Sequence, residues 1–512
     1  MNPSQRIGLN AGATYARSIV GVGLSLFSSR WVLSALGQTD YGLFNIVGSI
    51  IVFITFLNSV MAGSASRHFA YSIGRGDPRE VGNWFNAAIG IHLCMASGLV
   101  LLGWPVGEYV IRHVLTIPLT RMPVCLLVFR VSLASAFIGM VSIPFVAMFT
   151  AKQHIAELAF WGVLHSILVF VFAWLLTGYS GDRLLCYAVG MVSFVVFIQI
   201  AQMIRVVVVF KEYRVQLRHW FDLKRFREIF SFAMWSLFGS AGAMLSTQGT
   251  AVLLNLHFGP KVNAAYGIAN MVSAQTGQLS MAMVGAFSPE ITASEGRGDR
   301  ARMLSLSLRT SKLGTILAML FAIPLIIEMD YVLHLWLLTP PAFTALFCQL
   351  MLITFIIDKF TSGYMTAVNA HGKIAAYQAS IGTIFVLTLP LAWLFLKLGF
   401  APTSVGVAYV MTMAVCSLGR VLWVRHLFGV PVRRWLTTVV FPSATVALAG
   451  TLAAIAPHWV MSASFYRLSL VATVSVAASL LTAWLLALDD SERRFIAHNA
   501  TRLLGRIYAA TT

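Results

Sequence analysis

Apolar runs of about 20 residues or more recur along the whole of this 512-residue chain, separated by short loops in which Lys and Arg collect. A run of that length crosses a hydrocarbon core of about 30 Å as a helix. Inside lipid every backbone N–H and C=O must be satisfied within the protein, and a helix does this within its own segment. The charged residues are too few for any other class: 11% of the chain is charged and 58% hydrophobic, with a mean hydropathy of +0.80, whereas soluble domains carry about 25% charged residues. The chain therefore reads as an all-α polytopic membrane protein. Fourteen spans are expected, at 8–36, 42–70, 83–110, 122–150, 154–178, 184–210, 229–258, 263–292, 306–337, 342–369, 374–398, 402–427, 435–457 and 464–488. Only Arg6 precedes the first run and no cleavage site follows it, so that span is expected to be retained.

The net charge of +18 follows topology. The loops after even-numbered spans, with both termini, hold 25 of the 36 Lys and Arg, among them Arg75, Arg297, Arg309, Lys312, Arg420 and the basic run within 211–228. The opposite side holds six, and positive loops stay inside, so both termini are expected in the cytoplasm. Basic residues dispersed in this way exclude a nucleic-acid partner. The five cysteines, Cys94, Cys125, Cys186, Cys348 and Cys416, sit in apolar stretches without metal-ligand spacing, and no metal site is expected.

The chain also repeats itself. Ala35 to Asn45 reads A-L-G-Q-T-D-Y-G-L-F-N, and an apolar run leads from it to Gly74-Arg75-Gly76-Asp77. At an offset of 222, Gly259 matches Gly37 and Arg297-Gly298-Asp299 matches Arg75-Gly76-Asp77, while Tyr266-Gly267 precedes Asn270 as Tyr41-Gly42 precedes Asn45. A further pair, Ala151-Lys152-Gln153-His154-Ile155 and Ala370-His371-Gly372-Lys373-Ile374, follows the fourth and tenth spans. Repeats of six spans share one orientation and are parallel, a transporter arrangement. The expected organisation is an N-lobe over 1–210, a basic cytoplasmic linker over 211–228 lying on anionic headgroups and a C-lobe over 229–430. Two added spans follow within 431–488, and a cytoplasmic tail over 489–512 in which Phe495, Leu503, Leu504 and Ile507 alternate with Arg493, Arg494, Arg502 and Arg506.

The element Leu36-Gly37-x-x-x-Tyr41-Gly42-Leu43-Phe44, with Gly-Arg-Gly-Asp after the second span, resembles the polysaccharide-biosynthesis flippases of the multidrug/oligosaccharidyl-lipid/polysaccharide (MOP) exporter superfamily, which also holds the MATE drug exporters. The resemblance covers about residues 1–430. It implies a MATE-like, V-shaped pair of six-helix bundles around a cavity that opens alternately to either side, in a bacterial inner membrane. It further implies a lipid-linked, O-antigen-type saccharide as substrate, with membrane lipids and other polysaccharide-assembly proteins as partners. Fourteen spans instead of the twelve usual in drug exporters resemble the lipid-intermediate flippases, in some of which the extra pair forms a groove for the lipid tail.

Charges inside spans carry the chemistry, because each costs about 2.5–3.5 kcal/mol at a helix centre on insertion scales. Arg17 is about 13 Å into the first span, at the edge of a stripe of Thr14, Ser18, Gly21, Ser25 and Ser28. A guanidinium fork there suits phosphate or pyrophosphate. Its counterpart by the repeat is Gly239, so the charge belongs to the N-lobe alone. Arg30, Arg130 and Lys359 complete the candidate cationic set; snorkelling accounts equally well for Arg30. Asp358 is a candidate for H⁺ or Na⁺ coupling. It neighbours Lys359 in the tenth span, where ideal helix geometry sets adjacent side chains about 100° apart, so pairing between them is not assumed. Asn45, Asn270 and Gln248 are candidate polar cavity groups or helix bridges. Arg75, Asp77, Arg297 and Asp299 are expected to form cytoplasmic gate or turn elements.

No Walker-type nucleotide loop is present and no cofactor is expected. A membrane glycosyltransferase or polymerase would need a long external loop with clustered His, Asp or Glu, and a MATE-type exporter of cationic drugs would need acidic intramembrane residues in excess. Here Arg and Lys outnumber acids within the spans. A lipid-linked saccharide flippase is the expected function.

Overall fold

The structure, a computed structural model, describes residues 3–113, 117–210, 215–258, 260–337, 340–490 and 492–494. It is helical throughout, with no strand among the described residues. The first helix, α1 (Pro3–Gly74), runs for 72 residues. A straight helix of that length would reach about 108 Å, over three times a hydrocarbon core. It breaks at Gly37, whose φ of 72° and ψ of 171° require glycine, and the first two expected spans lie on either side. Then come α2 (Pro78–His113), α3 (Met122–Ala151), α4 (Ile155–Thr177), α5 (Arg183–Val209), α6 (Leu223–Phe258), α7 (Pro260–Gly296), α8 (Arg300–Ile327) and α9 (Met329–Leu337). The chain continues with α10 (Thr344–Lys359), α11 (Ser362–His371), α12 (Ala375–Val386), α13 (Thr388–Lys397), α14 (Ser404–Phe428), α15 (Val432–Trp435), α16 (Phe441–Val460) and α17 (Phe465–Thr482). Among the described residues ten helices are long and apolar enough to cross a membrane, or eleven when α10 and α11, bent by 47°, are taken as one span. That tally is short of the fourteen expected, but the all-α multi-pass class holds.

The chain forms two compact units, Leu9–Met234 with Gly296–Gly298, and Trp235–Glu295 with Asp299–Thr512 and Met1–Gly8. In the first, α1 runs beside α4 in the same direction. The buried Asn10 donates Nδ2–H to Gln153 O (3.0 Å) and accepts from Ala156 N (3.1 Å), capping the start of α4. The break at Gly37 is stitched from both flanks. Arg121 bridges Asp40 (2.6 Å) and Asp182 (2.7 Å), and Arg183 Nη1 donates to Ala35 O (3.1 Å). The first repeated motif is thus a joint between two spans. Below it, Phe69, Phe85, Phe145 and Phe149 fill the core between α1, α2 and α3; in lipid it is close packing, not escape from water, that favours such a cluster.

The repeat is legible in the backbone. Gly76 and Gly298, 222 apart, have φ of 72° and 78°. The next residue caps the following helix in both places: Asp77 accepts from Glu80 N (3.0 Å) and Asp299 from Arg302 N (3.0 Å). In the third landmark the matched positions are Gln153 (φ 61°) and Gly372 (φ 90°), again both left-handed. Each Gly-Arg-Gly-Asp is a stop-and-restart signal between helices.

The inter-lobe segment is partly helical, with a short turn at Leu217–His219, and α6 starts at Leu223, ahead of the expected 229. Asp222 caps α6, accepting from Lys224 N and Arg225 N (both 3.1 Å). The Arg225 N–H, then the charge of its guanidinium, hold the Asp222 carboxyl below the usual carboxylate range.

In the second unit, Tyr266 of the second repeat motif is buried and its hydroxyl donates to Tyr409 Oη (3.2 Å), while Ser246 Oγ reaches the same oxygen (3.1 Å). Phe347, Leu352 and Ala408 pack around them. The added pair α16 and α17 lies on α8 around Ile316, Val446, Ala483 and Ala487. Ion pairs hold it to α8 at two places. At the C-terminal end of α8, Glu328, with a fully buried side chain, accepts from Arg467 Nη2 (2.7 Å) and meets His458 Nδ1 (2.8 Å). Midway along α8, Lys312 Nζ donates to Glu492 (2.6 Å) and to Ala487 O (3.0 Å). Two residues expected in basic loops are corrected here. Lys312 and Arg420 are each 3% exposed inside α8 and α14; each finds a carboxylate, Glu492 or Asp358, that makes burial tolerable. The tail begins with a reciprocal cap, Glu492 N to Asp489 Oδ1 (2.8 Å) and Asp489 N to Glu492 Oε2 (2.9 Å). The expected amphipathic stretch after residue 494 lies outside the described residues.

Candidate functional site

Arg17 sits on α1 where that helix is in register with α4: Asn10 is level with the start of α4, and Gly21 faces Ser166 Oγ. Its guanidinium lies over Gly162, in the space that a side chain at 162 would fill. Seven residues beyond Asn10, it is about 10 Å from the basic end of the span. It is exposed and makes no hydrogen bond or ion pair among the described residues. Other cations within the helices pair with carboxylates: Arg205, near the end of α5, with Glu157 (2.7 Å), Lys312 with Glu492 (2.6 Å), and Arg420 with Asp358 (2.7 Å). Beside Arg17, His165 Nε2, one turn on from Gly162, is buried without a hydrogen-bond partner among the described residues. Thr14 and Ser18 of the expected polar stripe spend their hydroxyls on carbonyls one turn back, Asn10 O (2.8 Å) and Thr14 O (3.0 Å). An unpaired guanidinium beside an unused imidazole nitrogen can hold an anion.

The other candidates are not brought to this place. Arg130 Nη2 lies 2.5 Å from Glu108, whose other hydrogen-bond donor is Trp104 Nε1 (2.9 Å), and the guanidinium stands over the Trp104 ring. Arg130 is therefore neutralised near the sparse end of α3. Asn270 Nδ2 donates to Tyr266 O in its own helix (3.1 Å). Gln248 is exposed. The side chains of Arg30 and Asn45 lie outside the described residues. Arg75 stacks near Tyr71 (5.8 Å) beside the Gly76 turn, and Arg297 precedes the matching turn at Gly298.

In the second unit a polar cluster is built at the break between α10 and α11. Contrary to the expectation from ideal helix geometry, Lys359 and Asp358 do pair (2.8 Å). Lys359 is the last residue of α10, and its long stem can fold back there. Arg420 of α14 takes the other carboxylate oxygen of Asp358 (2.7 Å) and reaches Thr361 Oγ1 (3.2 Å). The carbonyls freed by the break are also met: Ile357 O by Ser417 Oγ (2.9 Å) and Phe360 O by Trp435 Nε1 (2.9 Å). Among the described acids, Asp358 is the one near the middle of a span, thirteen residues before the end of α11 at His371. Both its oxygens are taken by cations.

Sequence reasoning missed Arg420, His165 and the Glu328 set. A mid-span aspartate needs a counter-charge, and Arg420, eight residues inside the end of α14, is the signal that could have been followed. A lone histidine in an apolar run, such as His165, gives no signal until α1 is seen beside it.

Comparison with protein families matches residues 19–295, just over half the chain, to a family described as polysaccharide biosynthesis protein. Comparison with curated protein sequences gives no match. Solved structures of similar fold include a MATE point mutant (TM-score 0.73, 14% identity, 83% of this chain and 96% of that one). An outward-facing multidrug resistance MATE family transporter of the MOP superfamily gives a TM-score of 0.71 at 14% identity, with the same shares covered. A MOP superfamily transporter from Pyrococcus furiosus, described by the reversed polarity of its binding pocket, gives 0.67 at 16% identity, again over 83% and 96%. The expected MATE-like fold is thereby shown, and this chain, a multi-pass membrane protein, belongs to the polysaccharide biosynthesis protein family.

Proposed function

We propose that the protein is a flippase that moves a polyprenyl-pyrophosphate-linked saccharide from the cytoplasmic to the outer leaflet of a bacterial inner membrane by alternating access, both termini being cytoplasmic. The observation that carries this reading is Arg17, a guanidinium deep in a span with no carboxylate partner among the described residues. A sugar-pyrophosphate head cannot enter hydrocarbon unaided, whereas its polyprenyl tail is at home there. Arg17 holds the head by charge-assisted hydrogen bonds, contributing about 1.5–3 kcal/mol. Two negative charges moving outward across 100 mV gain about 4–5 kcal/mol from an inside-negative potential. With Asp358 engaged by Lys359 and Arg420, this potential is the drive, and cation exchange is not needed. The reversed pocket polarity described for the Pyrococcus furiosus relative supports variation of pocket charge within this fold.

The test is flipping by purified protein in liposomes carrying an undecaprenyl-pyrophosphate oligosaccharide, scored by access of an outside probe to the sugar. Arg17→Gln should lower the rate about tenfold or more while the protein still folds, and an imposed inside-negative potential should raise the wild-type rate. Unchanged flipping by Arg17→Gln would remove the site from the mechanism. Absence of flipping, with export of drug cations instead, would favour the MATE-type drug exporter.

A further inference from the structure

One group beside Arg17 has no role in the reading above. His165 lies three residues after Gly162 on α4, on the same face as the residue over which the Arg17 guanidinium rests. Its Nε2 is buried and has no hydrogen-bond partner among the described residues. The charge of Arg17 reaches its ring. Ten residues into a helix of 23, it stands at mid-span, about 15 Å from the start of α4 and about one turn deeper than Arg17. Other ionisable groups on the packed helices lie elsewhere along the span. Glu157 of α4 and Arg205 of α5 pair with each other (2.7 Å) two turns nearer the basic end. On α3, Cys125 and Arg130 lie toward the opposite end, as do Asp182, Arg183, Cys186 and Tyr187 of α5, Arg130 being held by Glu108 and Asp182 by Arg121. On α1, Tyr15 and Arg17 are the ionisable groups at this depth.

We infer that His165 is the second anion-binding group of the Arg17 site, taking up a proton as a pyrophosphate binds and donating Nε2–H to it. The physical reason is the cost of charge in lipid. Two bare cations side by side at mid-span repel each other and are poorly solvated, so an imidazolium next to an unoccupied Arg17 is unfavourable. A doubly negative pyrophosphate reverses the balance: it neutralises Arg17 and attracts a second positive charge. The proton comes from water as the anion docks and returns to water when it leaves; over a full cycle it offsets one of the two negative charges, so the potential acts on a net single charge and its drive is halved. The empty site thus carries one positive charge and the loaded site two, matching the anion. Neutral sugars gain nothing from this arrangement, so His165 would select pyrophosphate over uncharged lipids.

The inference rests on the flippase reading, and its test separates the two. Binding of a soluble short-chain pyrophosphate diester, citronellyl-diphosphoryl-N-acetylglucosamine, would be measured by calorimetry on the full chain in nanodiscs. A diester keeps its two charges between pH 5.5 and 8, so any pH dependence belongs to the protein. Wild type should bind about tenfold tighter at pH 5.5 than at pH 8. It should also take up a proton on binding at intermediate pH, seen as a difference in heat between two buffers of unlike ionisation enthalpy. His165→Gln should bind with the wild-type affinity found at pH 8, at every pH and without proton uptake, and its thermal stability should confirm folding. Arg17→Gln should lose binding throughout. Proton uptake that persists in His165→Gln overturns the role of this histidine. So does wild-type binding that needs Arg17 but ignores pH, which leaves the flippase reading intact. No binding by wild type at any pH removes the pyrophosphate site and the inference together.

Discussion

Asp358 is the single point on which the break between α10 and α11 is balanced, and Asp358→Asn is the perturbation that shows it. The carboxylate touches Lys359 at 2.8 Å and Arg420 at 2.7 Å. At an effective dielectric of about 20 and with charge centres about 4 Å apart, each of these pairs gains about 4 kcal/mol, and desolvation of the three ions offsets most of it. Removing the negative charge leaves that desolvation in place and turns attraction into repulsion, because the cluster goes from one net positive charge to two. A loss of about 3–5 kcal/mol is expected, the range for breaking a buried pair from one side. Measured as thermal unfolding in detergent, at about 2–4 °C per kcal/mol for a unit of this size, the midpoint should fall by roughly 6–20 °C. The cycle with Arg420→Met refines the argument. The double variant keeps one cation and loses the repulsion, so it should be more stable than Asp358→Asn alone. A single variant within about 1 kcal/mol of wild type, or a double variant whose losses simply add, would refute the account of a shared charge cluster.

Two further outcomes follow from contacts in the second unit. Arg467→Ala strips a fully buried Glu328 of its 2.7 Å partner, and should lower stability by about 3–5 kcal/mol, read as faster chymotrypsin cleavage at Trp459, Phe465 or Tyr466 and a lower unfolding midpoint. Gly363 stands where α11 meets α8, and a methyl there would overlap the carbonyl oxygen of Ser307. Gly363→Ala should therefore cost about 1–3 kcal/mol, whereas Gly267→Ala, with open space around it, should cost little in the same melt.

The fold was legible because its signals are collective. Lipid forces helices onto apolar runs, and the matched Gly-Arg-Gly-Asp segments mark the same turn twice, since a left-handed glycine and an aspartate cap leave a mark in composition. Arg17 was legible for a related reason: a charge surrounded by small and apolar residues is conspicuous. Pairing across the chain was not. Arg420 lies 62 residues from Asp358 and close to the basic residues that follow α14, so it looked like one more member of a loop. The contact between Asp358 and Lys359 was hidden because the rule for neighbouring residues assumes a continuing helix, and α10 stops at Lys359. Asn270 looked like a ligand because an amide in a span must find a partner, but that partner was its own helix.

The two ion sets on α8 also bear on how the protein is made. Glu328 and Lys312 emerge from the ribosome well before their partners, which lie 130, 139 and 180 residues later at His458, Arg467 and Glu492. Until the last two helices arrive, α8 carries an unpaired acid at its C-terminal end and an unpaired base midway along it. The second lobe therefore has no finished form until α16, α17 and Glu492 are in place, and a nascent chain stalled before α16 is the species that insertion factors and membrane proteases would meet.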